Sequence, residues 1–301
     1  MPWFFFEIVI YGYLILVGVL MMEWVHLRKI KHKQKPILHA AVFVLSLGWF
    51  VIFYGSFIEP RFLAVVDQEI SIGTSGRQLH AVLISDIHVG PYKKAGWVQH
   101  LVENTNKQDP DYVFLDGDFI ATHVKELDYL APLAELEANK GVFAVLGNHD
   151  FSYGASEHVT KRLQELGIHV LHNDSVLLEE EGIILAGMSD YWHDGNLEET
   201  LRFVPEQERP VLLLAHNPDI VADPTIGRVD LVLSGHTHGG QIRLPWIGPL
   251  MPVPTKIDKR YTKGLYSIGD TQLFVTSGVA ETGPRARLLT PPELVNLTIR
   301  Y

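Results

Sequence analysis

Two long apolar runs near the N-terminus constrain this chain of 301 residues more than any other feature. Residues 4–22 contain a single charged side chain, Glu7. Residues 37–58 contain no Asp, Glu, Lys or Arg and one histidine, His39. A helix needs about 20 apolar residues to cross a hydrocarbon core of roughly 30 Å. We therefore predict two transmembrane helices, at about residues 4–22 and 37–58. A buried helical hairpin of a soluble protein is the alternative that the sequence leaves open.

A basic segment separates the two runs. Residues 26–35 contain five Lys or Arg, whereas the outer flanks of the runs carry few. By the positive-inside rule this segment is a cytoplasmic loop. The first run lacks the basic n-region and the cleavage site of a signal peptide, so we expect it to be retained. Residues 1–60 are thus predicted to be a multi-pass anchor in the cell membrane, with residues 61–301 forming one domain on the extracytoplasmic side.

Composition excludes several kinds of site. The chain has no cysteine and fifteen histidines. Disulfides, thiolate nucleophiles and Cys-ligated zinc are therefore ruled out, and a metal site must use His, Asp, Glu or Asn. After residue 60 there are twenty Lys or Arg against thirty-two Asp or Glu. This acidic balance argues against a nucleic acid partner, whose phosphates require clustered basic side chains.

Short apolar runs alternate with amphipathic stretches after residue 60. Alternation of this kind predicts an α/β sheet with helical crossovers. The predicted strands are 79–85, 112–115, 142–146, 183–186, 211–215 and 231–234, and the predicted helices are 95–107, 124–139 and 156–166. Three further runs, 265–268, 273–276 and 294–299, follow one another without room for helices, so we expect them to be antiparallel.

Five of the predicted strands end in clusters of Asp, His and Asn. Ligands in α/β sheets bind beyond the carboxyl ends of strands. Residues two apart in an extended segment point the same way, so Asp-x-His and His-x-His can each aim two side chains at one point. The clusters are Asp86-Ile-His88, Asp116-Gly-Asp118, Gly147-Asn-His-Asp150, His216-Asn217 and Gly235-His-Thr-His238. About three carboxylate or amide oxygens and four imidazoles are too many for one tetrahedral ion, and they fit two adjacent divalent cations bridged by a carboxylate and a water.

The order of these clusters resembles the five blocks of the calcineurin-like metallophosphoesterases, and the chain looks most like their membrane-associated or exported bacterial branch. The resemblance covers about residues 79–299 and implies a β-sandwich flanked by helices, a four-layer αββα arrangement, after the two transmembrane helices. The segments that carry it are Asp86-x-His88, Gly117-Asp118, Gly147-Asn-His-Asp150, His216 and Gly235-His-x-His238.

The resemblance also implies a role for each residue. Asp86, His88 and His238 would hold one metal ion; Asn148, His216 and His236 would hold a second; and Asp118 would bridge them. A hydroxide between the ions would attack phosphorus in line, while His149 protonates the leaving group and Asp150 orients His149. Mn, Fe, Zn and Co all suit these ligands.

The predicted substrate is a phosphodiester, and the membrane anchor favours one that is lipid-linked. A phosphomonoesterase or a nucleotide-lipid pyrophosphatase of the lipid A pathway type is the alternative enzyme, and a non-catalytic metal-binding scaffold is the remote one. His193 and Arg243 are candidate substrate contacts. Trp246 either lines an apolar approach to the site or packs in the core. Structural roles are favoured for Arg285 and Arg287.

Overall fold

The N-terminal part of the chain forms two long helices. The structure, a computed structural model, describes residues 3–30, 36–205, 209–258 and 260–301. Helix α1 spans Trp3–Ile30 and helix α2 spans Pro36–Phe53. α1 continues eight residues beyond the apolar run, so the first half of the basic segment is helical rather than a loop. Its other half, residues 31–35, lies outside the described residues.

The two helices pack side by side and expose most of their surface. None of the residues of α2 is buried, and in the described part of α1 only Leu14 and Val17 are. The indole Nε1 of Trp49 donates to the Leu14 carbonyl at 2.8 Å, which ties the pair together. Apolar helices exposed in this way are not the core of a soluble protein, so the buried-hairpin alternative is wrong. Both helices are candidate membrane spans by length and composition.

The rest of the chain is built on two six-stranded sheets. The first sheet is mixed: β1 is parallel to β14, β14 is antiparallel to β2, and β2 to β5 are parallel. In spatial order its strands are β1 (Ala64–Ser71), β14 (Glu293–Arg300), β2 (Gln78–Ile84), β3 (Tyr112–Asp116), β4 (Gly141–Val145) and β5 (His169–Val170).

The second sheet has a parallel centre with an antiparallel strand at each edge. In spatial order its strands are β12 (Gly264–Ile268), β13 (Thr271–Val275), β9 (Leu231–Ser234), β8 (Val211–Leu214), β7 (Ile183–Gly187) and β6 (Asp174–Leu178). A small hairpin, β10 (Arg243–Leu244) with β11 (Gly248–Pro249), leaves the loop after β9.

Helices cover the outer face of each sheet. Helices α3 (Ala95–Asn106) and α4 (Ser156–Glu165) and the 3₁₀ helix Val124–Glu135 pack on the first sheet. Helix α5 (Leu197–Thr200) and the 3₁₀ turn Pro218–Ala222 pack on the second. Between the sheets lies an apolar core that includes Leu83, Phe114 and Leu233, none of them exposed. The predicted four-layer αββα fold is confirmed.

Two local predictions differ from the structure. Residues 124–139 were expected to form an α-helix, but the structure has a 3₁₀ helix that ends at Glu135. The ring of Pro132 inside it would clash with the carbonyl four residues earlier in an α-helix. The last three strands were expected to be antiparallel. β12 and β13 do form an antiparallel hairpin, but β14 crosses to the other sheet, where it is antiparallel to β2 and parallel to β1. Short loops determine hairpins, whereas a longer connection leaves the choice of sheet to packing.

Buried polar contacts hold the end of α2 against the sheets. The backbone N–H of Thr290 donates to the Glu59 carboxylate at 2.6 Å, and the N–H of Arg287 donates to the Gly55 carbonyl at 2.8 Å. Lys93 is buried and donates to the Pro60 carbonyl at 2.5 Å. Burial lowers the pKa of Lys93 to about 8, although its partner Glu281 opposes that shift. The domain boundary at residue 60 remains a prediction. Residues on the two sides of this boundary pack against each other.

The core between the sheets gives a test of the fold. Phe114→Ala removes a fully buried ring and should cost about 3–5 kcal/mol of unfolding free energy, because the surrounding side chains relax only in part. The Tm of the detergent-solubilised chain should fall by roughly 6–20 °C. The matched control is Phe203→Ala, whose ring is 79% exposed and which should change stability by no more than about 0.5 kcal/mol. Equal Tm values for the two variants would contradict this packing.

Candidate metal centre

The polar clusters identified in the sequence converge at one end of the sandwich. Asp86 and His88 follow β2, and Asp118 follows β3. The segment 148–150 follows β4. His216 comes directly after β8, while 236–238 come after β9. The first three clusters belong to one sheet and the last two to the other, so the site forms where the carboxyl ends of both sheets meet.

Asp118 lies between two sets of imidazoles. Its Oδ2 is 3.2 Å from Nε2 of His216 and 3.4 Å from Nε2 of His88. On the far side of His88, Oδ1 of Asp86 is 3.4 Å from Nε2 of His238. Three groups of three side chains each bring one ligand atom per residue within 4.8 Å of the others: Asp86, His88 and His238; His88, Asp118 and His149; and Asp118, His216 and His236. The first and third groups contain side chains that the sequence predicts as ligands, and the second adds His149.

The buried atoms of these side chains fit a cation. Oδ1 of Asp86, Oδ1 of Asn148 and Nε2 of both His216 and His236 are buried without a hydrogen-bond partner. Buried polar atoms are rarely left unpaired, and all four of these can donate an electron pair to a metal. They come from the ends of four different strands. Divalent metal ions bound among them would satisfy every one of these atoms.

Hydrogen bonds to backbone carbonyls fix the orientation of three of the imidazole rings. Nδ1 of His216 is 2.7 Å from the Asp116 carbonyl, and Nδ1 of His238 is 3.0 Å from the Ala280 carbonyl. Nδ1 of His88 is 3.4 Å from the Ile120 carbonyl, a weaker contact of the same kind. A carbonyl accepts only from a protonated Nδ1, so in the neutral ring the lone pair is on Nε2, the atom that faces the ligand cluster.

The backbone is strained at the ligands. Five of them have a positive φ: Asp86 (58°), His88 (41°), Asp118 (56°), His236 (66°) and His238 (51°). Non-glycine residues adopt this region rarely, and such strain collects at functional sites. Glycines beside the ligands make room for them. A Cβ on Gly147 would lie 2.3 Å from Oδ1 of Asp118, and one on Gly235 would lie 1.9 Å from Oγ of Ser85.

Two carboxylates and two imidazoles of the site are held in the protonation states that bind metal. Burial would raise the pKa of Asp118, but His216 and His149 outweigh it and hold that pKa well below its usual range. His238 and His88 do the same for Asp86 against its own burial. Burial, aided by a neighbouring imidazole, lowers the pKa of His236 to about 4 and that of His238 to about 3. Both carboxylates are therefore ionised and both of these rings neutral at pH 7.

His149 lies at the site, within reach of His88 and Asp118. Its ring packs edge-on against that of His88, with centroids 4.6 Å apart. Nδ1 lies 2.9 Å from the Ala121 carbonyl, and the backbone N–H donates to Oδ1 of Asp118 at 2.8 Å. Its Nε2 is therefore the nitrogen free for proton transfer.

The role expected for Asp150 needs correction. Its carboxylate accepts from the backbone N–H groups of Phe119 and Gly147, at 2.8 and 3.0 Å, and from that of Ile120 at 3.2 Å. The imidazole of His149 is oriented by a carbonyl and not by this carboxylate. Asp150 instead binds the loops after β3 and β4 to each other. Sequence motifs cannot distinguish these roles, because a motif gives the order of residues and not the direction of a side chain.

The two candidate substrate contacts lie around the site. Nδ1 of His193 is 2.7 Å from Oδ1 of Asp190, and the His193 ring stacks on Phe151, one residue beyond Asp150. The guanidinium of Arg243 donates to the Gly239 carbonyl at 2.9 Å, directly after the ligand His238. Both positions are near the ligand loops, and contact with a substrate remains a prediction for each.

Sequence reasoning missed Trp192. Its ring meets the His236 ring edge-on with centroids 4.6 Å apart, and its indole Nε1 donates to Asp219 at 3.1 Å. The only signal was its place beside His193 in the loop after β7. Arg287 is fully buried and donates to the Ser277 carbonyl at 2.7 Å, so the structural role expected for it is observed.

His216 generates a prediction about metal binding. Burial would lower the pKa of His216, but the carboxylates of Asp118 and Asp86 outweigh it and raise the pKa well above its ordinary value. The ring is protonated below that raised pKa, and a proton must leave before Nε2 can bind a metal. Metal binding at pH 7 should therefore release a proton and weaken as the pH falls. Titration calorimetry with Mn²⁺ in two buffers of different ionisation enthalpy measures this release, and equal heats in both buffers would contradict it.

Known proteins resemble this chain over the same region. The calcineurin-like phosphoesterase family matches residues 79–240. A metallophosphoesterase of Aquifex aeolicus (strain VF5) is 34% identical over 262 residues, which cover 81% of this chain and 95% of that protein. Phosphodiesterase YaeI of Escherichia coli (strain K12) is 30% identical over 237 residues, 75% of this chain and 84% of the relative.

A third relative is named as a membrane protein. The transmembrane protein with metallophosphoesterase domain of Danio rerio is 31% identical over 256 residues, which cover 78% of this chain and 57% of that protein. Together with the two exposed apolar helices, this relative indicates membrane association. The family match spans more than half of the sequence and includes every ligand cluster. The chain therefore belongs to the calcineurin-like phosphoesterase family and is a metal-dependent phosphoric ester hydrolase.

Proposed function

We propose that this protein is a membrane-anchored phosphodiesterase that binds two divalent metal ions and hydrolyses a lipid-linked phosphodiester. The observation that carries the proposal is the position of Asp118, whose carboxylate is within 3.4 Å of an imidazole from each of the two ligand groups. A residue so placed can serve both groups at once. The name of the Escherichia coli relative supports a diester substrate.

The first group is Asp86, His88 and His238, the second is Asn148, His216 and His236, and Asp118 is shared between them. When bound, the two ions supply Lewis acidity for the phosphoryl oxygens and lower the pKa of a water that serves as nucleophile. The buried ligand loops exclude bulk water from this position, which strengthens the electrostatic interactions within it.

His149 is proposed to be the general acid. Because Nδ1 donates to the Ala121 carbonyl, a second proton on Nε2 is the one that can pass to the departing oxygen. Burial lowers the pKa of His149 while Asp118 opposes that shift. The doubly protonated ring, which is the form that acts as the acid, is therefore the minority form at neutral pH. Asp150 contributes by holding the loop that supplies the Ala121 carbonyl.

The helices support an extracytoplasmic location for the catalytic part. The start of α1 and the end of α2 both contact the sheets, as the pair of Glu7 and Arg285, 3.2 Å apart, shows for α1. Arg28, near the C-terminal end of α1, lies at the opposite end of the hairpin. If that end is cytoplasmic, as the positive-inside rule predicts, the catalytic part lies on the other side.

Substrate preference and metal dependence test the proposal directly. The detergent-solubilised chain should hydrolyse bis-p-nitrophenyl phosphate faster than p-nitrophenyl phosphate when Mn²⁺ is added, and should lose both activities on chelation. A lipid-linked phosphodiester in mixed micelles should have a higher kcat/KM than the soluble diester. A preference for the monoester would favour a phosphomonoesterase instead. Equal rates for soluble and lipid-linked diesters would contradict the lipid-linked substrate.

The His149→Ala variant tests the general acid. Loss of proton donation to the leaving group should lower kcat by about 10²–10⁴-fold. Metal content measured by mass spectrometry should stay at the wild-type value, because His149 is not among the ligands proposed for the two ions; a loss of metal would instead make His149 a ligand, as its position beside His88 and Asp118 allows. His158→Ala, which removes an exposed imidazole on α4, is the matched control and should keep full activity. Undiminished turnover by His149→Ala would assign the acid to another residue.

The lack of cysteine makes sidedness measurable. In intact cells, Glu179→Cys, an exposed position before β7, should react with a membrane-impermeant maleimide. Arg28→Cys, at the other end of the hairpin, should react only after the membrane is permeabilised. The reverse pattern would place the catalytic part in the cytoplasm, where a nucleotide-lipid substrate is available.

A further inference from the structure

We propose that a groove between the two helices and the catalytic part binds an acyl chain of the lipid-linked substrate. The groove has a volume of about 440 Å³, within the range of small-ligand sites. α1 contributes Val9 and Ile10 to it, α2 contributes Val51, and the segment directly after α2 contributes Gly55. The opposite wall comes from Ile242, beside the hairpin β10–β11, and from Leu288, in the loop before β14. The inference rests on the proposed function only in assigning the chain to the substrate.

The exposure and the apolar chemistry of the lining residues indicate which kind of molecule fills the groove. Val9 is 52% exposed and Val51 is 40% exposed, and both lie on helices that are candidate membrane spans. The lining is almost wholly apolar, apart from the hydroxyl groups of Tyr13 and Ser56. A groove of this kind offers water few hydrogen-bond partners. Lipid tails are as apolar as its side chains and are present at the surface of these helices, so an acyl chain is the occupant that the environment provides.

The hairpin β10–β11 extends the apolar surface beyond the groove. Trp246, at its tip, is fully exposed, and its neighbour Ile247 is 70% exposed. Leu250 lines the groove and is itself half exposed, so it joins the two surfaces. Exposed apolar patches on a protein surface mark binding sites, and Trp is enriched where proteins meet the membrane interface. This position for Trp246 excludes core packing and fits an apolar approach to the site.

The two loops that form one wall of the groove also carry and orient one proposed metal ligand, His238. The Gln241 side chain donates to the Thr282 carbonyl at 3.0 Å, and the N–H of Arg243 donates to the Leu288 carbonyl at 2.9 Å. In the same loops His238 bonds the Ala280 carbonyl. A lipid whose chain enters the groove is therefore bound by the two loops that carry and orient a metal ligand. This provides a physical link between membrane contact and the hydrolytic site.

Photo-cross-linking tests the groove without requiring turnover. The full chain is placed in phosphatidylcholine nanodiscs that contain a phosphatidylcholine with a diazirine in one acyl chain, and the cross-linked residues are mapped by mass spectrometry. We expect cross-links at Ile242 and Leu288 as well as along α1 and α2. Cross-links confined to the two helices would overturn the proposal.

A filling variant makes the test specific. Ala286→Phe adds bulk inside the groove and should reduce cross-linking at Leu288 by about tenfold, which corresponds to about 1.4 kcal/mol of lost binding. Leu16→Phe adds bulk on an exposed part of α1 outside the groove and should leave that cross-link unchanged. Metal content and Tm show whether each variant is folded; if Ala286→Phe is not, Ala286→Leu replaces it. Unchanged cross-linking in a folded filling variant would overturn the proposal.

The hairpin provides a second measurement. Ile247→Cys and Phe203→Cys place a single thiol at two exposed positions, which can be labelled with bimane because the chain has no other cysteine. In nanodiscs with doxyl-labelled phosphatidylcholine, the label at residue 247 should be strongly quenched and the one at residue 203 should not. Equal quenching would separate the hairpin from the bilayer and overturn the proposed route.

These outcomes separate the two proposals. A chain that cross-links lipid in the groove but hydrolyses no lipid-linked phosphodiester contradicts the proposed function alone. A chain that hydrolyses such a substrate without cross-linking lipid at Ile242 or Leu288 contradicts the groove alone.

Discussion

The carboxylate of Asp118 is the group on which the site depends. It lies where the carboxyl ends of two sheets meet, within 3.4 Å of His88 from one sheet and His216 from the other. A buried carboxylate is costly unless positive charge or hydrogen bonds compensate it. Here the imidazoles and the backbone N–H of His149 provide that compensation, and the imidazoles are the side chains that we propose as metal ligands and general acid.

Keeping the proposed ligands together requires unfavourable backbone geometry at these residues themselves. Five ligands have a positive φ, and the loops beside them need glycine because a Cβ at Gly147 or Gly235 would collide with its neighbours. The two buried cores on either side of the first sheet hold these loops in place. Asp150 adds to this by accepting backbone N–H groups from the loops after β3 and β4. Rigid strands thus allow strained loops to present their side chains in one arrangement.

The loop before β14 connects the catalytic part to the two N-terminal helices. The buried guanidinium of Arg287 donates to the carbonyls of Ser277 and Thr290, while its backbone N–H donates to the carbonyl of Gly55, two residues after the end of α2. Ala280, in the same loop, accepts from His238. A displacement of the helices would therefore be transmitted through a few buried hydrogen bonds to His238, a proposed metal ligand.

The sequence by itself determined the two apolar helices and the alternation of strands and helices, and it identified the Asp, His and Asn side chains that the structure brings together at one end of the sandwich. These features depend on local periodicity and on motifs at strand ends, both of which can be recognised from the order of residues alone. Only the tertiary structure decided that β14 joins the first sheet, that Asp150 bonds backbone and not His149, and that Trp192 lies against His236. Each of these depends on contacts between residues far apart in the chain, and on the direction in which a side chain points, which packing alone fixes.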